Sequence, residues 1–77
     1  MDRIEVIERW DKNDQPYPAR FSWQGVQYSI EAIGRTWEDE TGLHILCATK
    51  KGQVFELIYN KESGWSMGQR PANIQAV

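Results

Sequence analysis

Residues 19–30 alternate between apolar and polar side chains on both sides of a Gln24-Gly25 pair, a pattern typical of a tight β-hairpin. With these two residues as the turn, one face of the hairpin carries only apolar cross-strand pairs. Turn chemistry and hydrophobic pattern therefore select the same register, with Gly25 at positive φ. The apolar pairs are Trp23 with Val26, Phe21 with Tyr28 and Ala19 with Ile30, and the polar pairs are Ser22 with Gln27 and Arg20 with Ser29.

The rest of the chain repeats this period of two, and no segment shows the three- and four-residue apolar spacing of an amphipathic helix. Strands are predicted at 3–10, 43–49, 53–59 and 65–69, and residues 11–18, with two prolines, are predicted to form a loop. Five or six short strands favour an all-β fold, either a small antiparallel meander or an SH3-like or OB-like barrel. At 77 residues the chain is expected to be one domain, residues 1–77.

The alternation changes phase after Ile30, since Ile33 and Trp37 no longer fall on the face that the first hairpin buries. An extra residue near Glu31-Ala32, or a bend at Gly34, would return both side chains to the core. We therefore expect a long, irregular strand that serves two parts of a small barrel.

Two registers are open for the hairpin of residues 43–59. A type I turn over 49–52 with a bulge at Gly52 aligns Cys47 with Phe55 in the core, and we favour it. A two-residue turn at Lys51-Gly52 would instead set Cys47 opposite Glu56. With the first register, one buried cluster is expected to contain Phe21, Trp23, Tyr28, Ile30, Ile33, Phe55 and Leu57.

Few residues in this chain are suited to catalysis. The only histidine, His44, lies three positions before the only cysteine, Cys47, so on a strand the two point to opposite faces and cannot form a Cys-His pair. We expect Cys47 to be a small buried side chain and His44 to lie at the surface or rim. One histidine and one cysteine are too few for a structural zinc site, and the sequence has no Gly-rich phosphate loop. The acidic residues 38–40 resemble a solvated turn. We predict no enzymatic activity, no metal and no cofactor.

A single cysteine cannot form an internal disulfide, which favours a reducing compartment. No apolar run is long enough to span a membrane, and the first residues lack the basic start and apolar stretch of a signal peptide. The chain is therefore expected to be cytoplasmic and to have no membrane partner.

The segment Phe21-Ser-Trp23-Gln-Gly25-Val-Gln-Tyr28-Ser-Ile30, followed by Ile33 and Trp37, resembles the F-x-W-x-G-x-x-Y-x-[IV] signature of an uncharacterised family of small bacterial β-domains. The Asn60–Trp65 hairpin is similar to the C-terminal end of that family, so the resemblance spans roughly residues 18–67. It implies a small β-fold in a bacterial cytoplasmic protein. Some relatives lie near genes for error-prone DNA polymerases, which adds slight support for a nucleic-acid role.

The aromatic side chains are more numerous than one thin core requires, and partly exposed Trp or Tyr often anchors a partner. Residues 1–40 carry nine acids and five bases, whereas residues 41–77 carry two acids and four bases. We therefore expect a module that binds a protein or peptide through an exposed strand edge or an aromatic-lined groove. The alternatives are binding of single-stranded nucleic acid and a purely structural or dimer-forming unit. The candidate binding residues are Tyr17, Lys50, Lys51 and Arg70.

Overall fold

The structure is a computed structural model that describes residues 2–68 and 72–73. It is all-β, as predicted, and its described residues include no helix long and apolar enough to cross a membrane. The strands are β1 (Asp2–Arg3), β2 (Glu5–Trp10), β3 (Pro16–Trp23), β4 (Val26–Asp39), β5 (Gly42–Thr49), β6 (Gln53–Asn60), β7 (Gly64–Met67) and β8 (Ala72–Asn73).

These strands form one antiparallel sheet that curls into a small barrel-like shape. The order is β1-β7-β6-β5-β4-β3-β2, and β8 pairs with β6 beside β7. Only Ile4 separates β1 from β2, and its N–H donates to the carbonyl of Trp65 at 3.4 Å. The two ends of the strand order are therefore parts of one bent N-terminal strand, which places the fold within the predicted class of small barrels.

The first hairpin has the predicted register at four of its five predicted pairs, from Arg20 with Ser29 to Trp23 with Val26. The prediction that Ala19 pairs with Ile30 is wrong, because the ladder ends at Arg20 and Ala19 is the extra residue where the β2–β3 register shifts. Gln24 and Gly25 have φ values of 52° and 78°, both in the left-handed region that a type I′ turn requires.

The second hairpin confirms the favoured register, because Cys47 pairs with Phe55. The N–H of Gly52 donates to the carbonyl of Thr49 at 2.9 Å, and Gly52 has φ 86°. This is a type I turn followed by a glycine bulge. The alternative two-residue turn is therefore excluded.

Phe55 lies at the centre of the core. Its ring centroid is 5.0 Å from that of Phe21, 4.9 Å from that of Tyr28 and 5.7 Å from that of Trp23. Six of the seven predicted core residues belong to this cluster or pack against it; the exception, Ile33, is 39% exposed. The buried members are Phe21, Ile45, Cys47, Phe55, Leu57, Trp65 and Met67.

A buried polar contact explains why Glu8 interrupts the apolar side of the N-terminal strand. The indole N–H of Trp65 donates to its Oε1 at 2.7 Å. A buried indole N–H needs an acceptor, and Glu8 provides one.

β4 is irregular where the phase change predicted it. Its register with β5 shifts between Ile30 and Ala32 and again between Ile33 and Thr36. β3 pairs with β4 only over Arg20–Trp23, so β4 beyond Ser29 is paired with β5 alone among the described residues. No β3 ladder residue therefore covers Ile33, which is why the expectation that it would be buried is wrong.

Candidate functional site

The separation of β3 from β4 leaves an opening in the barrel wall, which we call the seam: residues 16–19 on one side and 30–36 on the other. Pro16 and Pro18 have no N–H, so two of the four β3 residues along the seam cannot donate to a backbone ladder. The register of β2 with β3 also shifts here, since Ile7 pairs with Arg20 and Glu8 with Pro18, leaving Ala19 as the extra residue. Local sequence therefore ends the β3–β4 ladder.

Two concavities lie along the seam, and Tyr17 and Ile33 line both of them. One, of about 420 Å³, extends to Thr36, Leu43 and Ile45. The other, of about 360 Å³, extends to Ile30 and Pro18. The seam is thus an open groove, lined by both apolar and polar side chains, beside a strand edge.

The structure corrects the expected setting of Tyr17. Tyr17 belongs to residues 11–18, which were predicted to form a loop, but it lies in β3 and is half-buried. The β2–β3 ladder already begins at Trp10 paired with Pro16, because a proline is compatible with the first position of a strand. Tyr17 is therefore held on a strand beside the seam.

A third concavity, the acidic groove, lies at the end of the barrel where the β2–β3, β4–β5 and β6–β7 connections meet. It holds about 500 Å³ and shares Gln15, Pro16 and Leu43 with the larger seam concavity. Trp10, half of whose surface is exposed, and Tyr59 contribute aromatic surface. Among the described residues, its acidic side chains are Asp14, Glu38, Asp39, Glu40 and Glu62, and its one basic side chain is Lys61.

The other predicted site residues lie elsewhere. Lys50 and Lys51 are exposed in the β5–β6 turn, which antiparallel topology places at the barrel end opposite the acidic groove. Neither lines a concavity that Tyr17 lines. Arg70 lies outside the described residues. The structure therefore does not bring Tyr17 together with the two turn lysines.

His44 is the residue whose setting the sequence interpretation missed, because it is buried instead of lying at the surface. Its Nδ1 lies 2.5 Å from Oε2 of Glu56, and its Nε2 lies 2.9 Å from Oδ1 of Asp39. The ring stacks on Trp37 with centroids 5.0 Å apart and planes 14° apart. The favoured register contained this signal, since it sets His44 opposite Ile58 and diagonal to Glu56.

The carboxylates determine the protonation of this cluster. Burial lowers the pKa of His44, but hydrogen bonds to Glu56 and Asp39 outweigh it, so its pKa is raised above 6.5. The side-chain and backbone hydrogen bonds from Thr41, together with the one from His44, lower the pKa of Asp39 from 3.8 to about 2. A carboxylate beside each ring nitrogen favours the imidazolium, which donates at both.

Thr41 adds a hydroxyl to this cluster, because its Oγ1 lies 2.9 Å from Nε2 of His44. A hydroxyl, an imidazole and a carboxylate are therefore in contact. That hydroxyl donates to Oδ1 of Asp39 at 2.6 Å. An imidazolium cannot accept a further proton, so it does not suit the role of general base toward Thr41. Burial also raises the pKa of Cys47 to about 12, which keeps its thiol protonated and unreactive.

No family model, curated protein or solved structure matches this chain. The resemblance to the family with the F-x-W-x-G-x-x-Y signature therefore stays a prediction. Among the described residues, no three His, Cys, Asp or Glu side chains are grouped so as to hold a metal ion.

Proposed function

We propose that this domain is a non-catalytic interaction module that binds an extended segment of a partner protein at the seam. The observation that supports this most is the edge of β4 from Ile30 to Asp39, which has no ladder partner on its β3 side among the described residues. An unpaired edge presents N–H and C=O groups that an added strand can satisfy.

The side chains beside this edge supply a contact surface for such a strand. Tyr17 and Ile33 are both partly exposed and line the two concavities that flank them. In strand addition, backbone hydrogen bonds provide affinity and pockets for alternate side chains provide selectivity. The two concavities would then hold alternate side chains of the added segment.

Features of the edge itself disfavour indiscriminate pairing with other sheets. Two irregularities interrupt β4, and the exposed charged residues Glu31 and Arg35 lie on it. Bulges and charges are the usual means by which edge strands avoid aggregation. A segment that fits the seam side chains would overcome this barrier more readily than an arbitrary strand.

The rival function, binding of single-stranded nucleic acid, requires exposed aromatics beside basic side chains. The half-exposed Trp10 instead lies among five carboxylates and one lysine. Lys50 and Lys51 lie at the other end of the barrel. We therefore rank protein or peptide binding first.

Selection of random heptapeptides on the immobilised domain tests the proposal. Peptides enriched on the wild-type domain are then assayed against I33S, with I7S as the matched control. Both positions hold an exposed isoleucine on a strand, but only Ile33 lines the seam concavities. A third protein, with Lys50 and Lys51 both changed to Glu, tests the basic turn.

We expect I33S to weaken binding of the enriched peptides about tenfold, while I7S and the double lysine variant retain it. Loss of binding only in the double lysine variant would move the site to the β5–β6 turn. Failure to enrich any heptapeptide on the wild-type domain would count against the proposal.

A further inference from the structure

We infer that the segment docked at the seam runs antiparallel to β4 and carries basic residues at its N-terminal end. This inference rests on the proposed function and specifies the chemistry and direction of the partner. It follows from where charge lies along the free edge of β4.

The edge leads directly into the acidic groove. β4 ends at Asp39, and Glu38, Asp39 and Glu40 line that groove. The groove shares three lining residues with the larger seam concavity, so an extended segment that follows β4 beyond Thr36 would enter the groove.

The carboxylates of the groove are mostly free to bind a cation. Asp39 is engaged by His44 and Thr41, but Glu38 and Glu40 are exposed and form no salt bridge within the described residues. Asp14 and Glu62 also line the groove, where Lys61 is the one basic side chain among the residues that the structure describes. Such a surplus of carboxylates attracts lysine or arginine side chains and repels acidic ones.

The other end of the seam has no such surplus. Within the described part of the chain, the concavity there is lined by one acid, Glu31, and one base, Arg9. The two ends of the seam therefore differ in charge: the end near Asp39 is strongly acidic, and the end near Ile30 is balanced. A matching segment has its basic residues at one end only.

Strand direction decides which end that is. Antiparallel pairing is the more stable ladder per residue, and an antiparallel partner begins where β4 ends. The first residues of the partner would then lie in the acidic groove, where the half-exposed indole of Trp10 offers a further surface for a cation. The later residues would lie between Tyr17 and Ile33.

Three capped peptides, each titrated into the domain while the backbone amide shifts are followed, test direction and charge separately. KKVTVTV has the proposed order, VTVTVKK reverses it, and EEVTVTV reverses the charge. We expect KKVTVTV to shift β4 amides and to bind roughly tenfold more tightly than either of the others.

A charge-reversed domain gives an independent comparison. Glu38→Lys combined with Glu40→Lys should weaken KKVTVTV about tenfold, whereas Glu5→Lys, on an exposed residue of β2 that lines neither the acidic groove nor the seam concavities, should leave it nearly unchanged. Glu38 and Glu40 are exposed, so we expect the variant domain to fold. The comparison of the three peptides uses the unmodified domain and does not depend on this variant.

The outcomes separate the two proposals. Equal β4 shifts and equal affinity for EEVTVTV would overturn the basic partner but leave strand addition standing. Tighter binding of VTVTVKK would overturn the antiparallel direction. If none of the three peptides shifted β4 amides, strand addition at the seam, and the inference with it, would be wrong.

Discussion

Tyr17 of β3 and Ile33 of β4 line the same two concavities, although no backbone ladder joins their strands at this level. Side chains thus border an opening that backbone hydrogen bonds do not close. An opening of this kind in a small barrel exposes a strand edge beside apolar surface, which is the combination that strand addition uses.

Replacing Gly25 and Gly42 tests two turns, one in which a Cβ would meet open space and one in which it would meet the backbone. Gly25 has φ 78°, and no atom lies within 4 Å of the position a Cβ would take, so Gly25→Val should cost only the backbone strain and the branched side chain, about 1 to 3 kcal/mol. At Gly42, φ is 136° and a Cβ would overlap the carbonyl oxygen of Tyr59. Gly42→Ala should therefore destabilise more than Gly25→Val in urea unfolding, and the reverse order would contradict the described β4–β5 turn.

Removal of the Phe55 ring tests the core. Phe55 is fully buried and contacts three aromatic rings, so Phe55→Ala should lower the free energy of unfolding by about 3 to 5 kcal/mol. Ile7→Ala, at a 59% exposed position on β2, is the control and should change it by less than about 1 kcal/mol. Similar losses in the two variants, measured by denaturant unfolding, would show that the core lies elsewhere.

The His44 cluster predicts a pH dependence of stability. The pKa of His44 is raised above 6.5 in the folded state. The stabilisation that protonated His44 adds to the fold is therefore fully present below pH 6.5 and is lost as pH rises through the folded pKa. Urea midpoints should therefore decline from pH 6.5 upward in the wild-type domain, and this decline should be absent in His44→Gln. An NMR titration that gave His44 a pKa below 6.5 would contradict the paired carboxylate geometry.

The low pKa of Asp39 acts in the opposite direction. Because the pKa of Asp39 is about 2 in the folded state, the stabilisation that its carboxylate adds to the fold is present above pH 3.8 and is lost as pH falls through 2. Asp39→Asn should therefore reduce the sensitivity of stability to acid between these values. An unchanged acid limb in the unfolding profile would indicate that the hydrogen bonds from Thr41 do not persist in solution.

The hairpins were predictable because their determinants are local. Gln24-Gly25 and Gly52 fix turn types within a few residues, and hydrophobic alternation then sets the register. The position of the β4 irregularity also followed from a change of phase beside Ile30. The exposure of Ile33 could not be predicted in the same way, because it depends on how far β3 stays paired with β4.

The candidate site depends on relationships that are distant in sequence. The seam results from Pro16 and Pro18, together with an extra residue at Ala19, acting on a ladder with a strand more than ten residues away. The acidic groove unites three connections that lie apart in the chain, so a comparison of charge between chain halves does not reveal it. Predicting the burial of His44 would have required both the register of β5 with β6 and the positions of the side chains around it.

Amide hydrogen exchange with the tightest heptapeptide from the selection tests strand addition at the seam most directly. An added strand should slow exchange at alternate amides of β4 between Ile30 and Asp39, because the amides that face the free edge gain a hydrogen-bond acceptor. Exchange in the β5–β6 turn should stay unchanged. Slowing centred on Lys50 and Lys51, with β4 unaffected, would contradict the proposal.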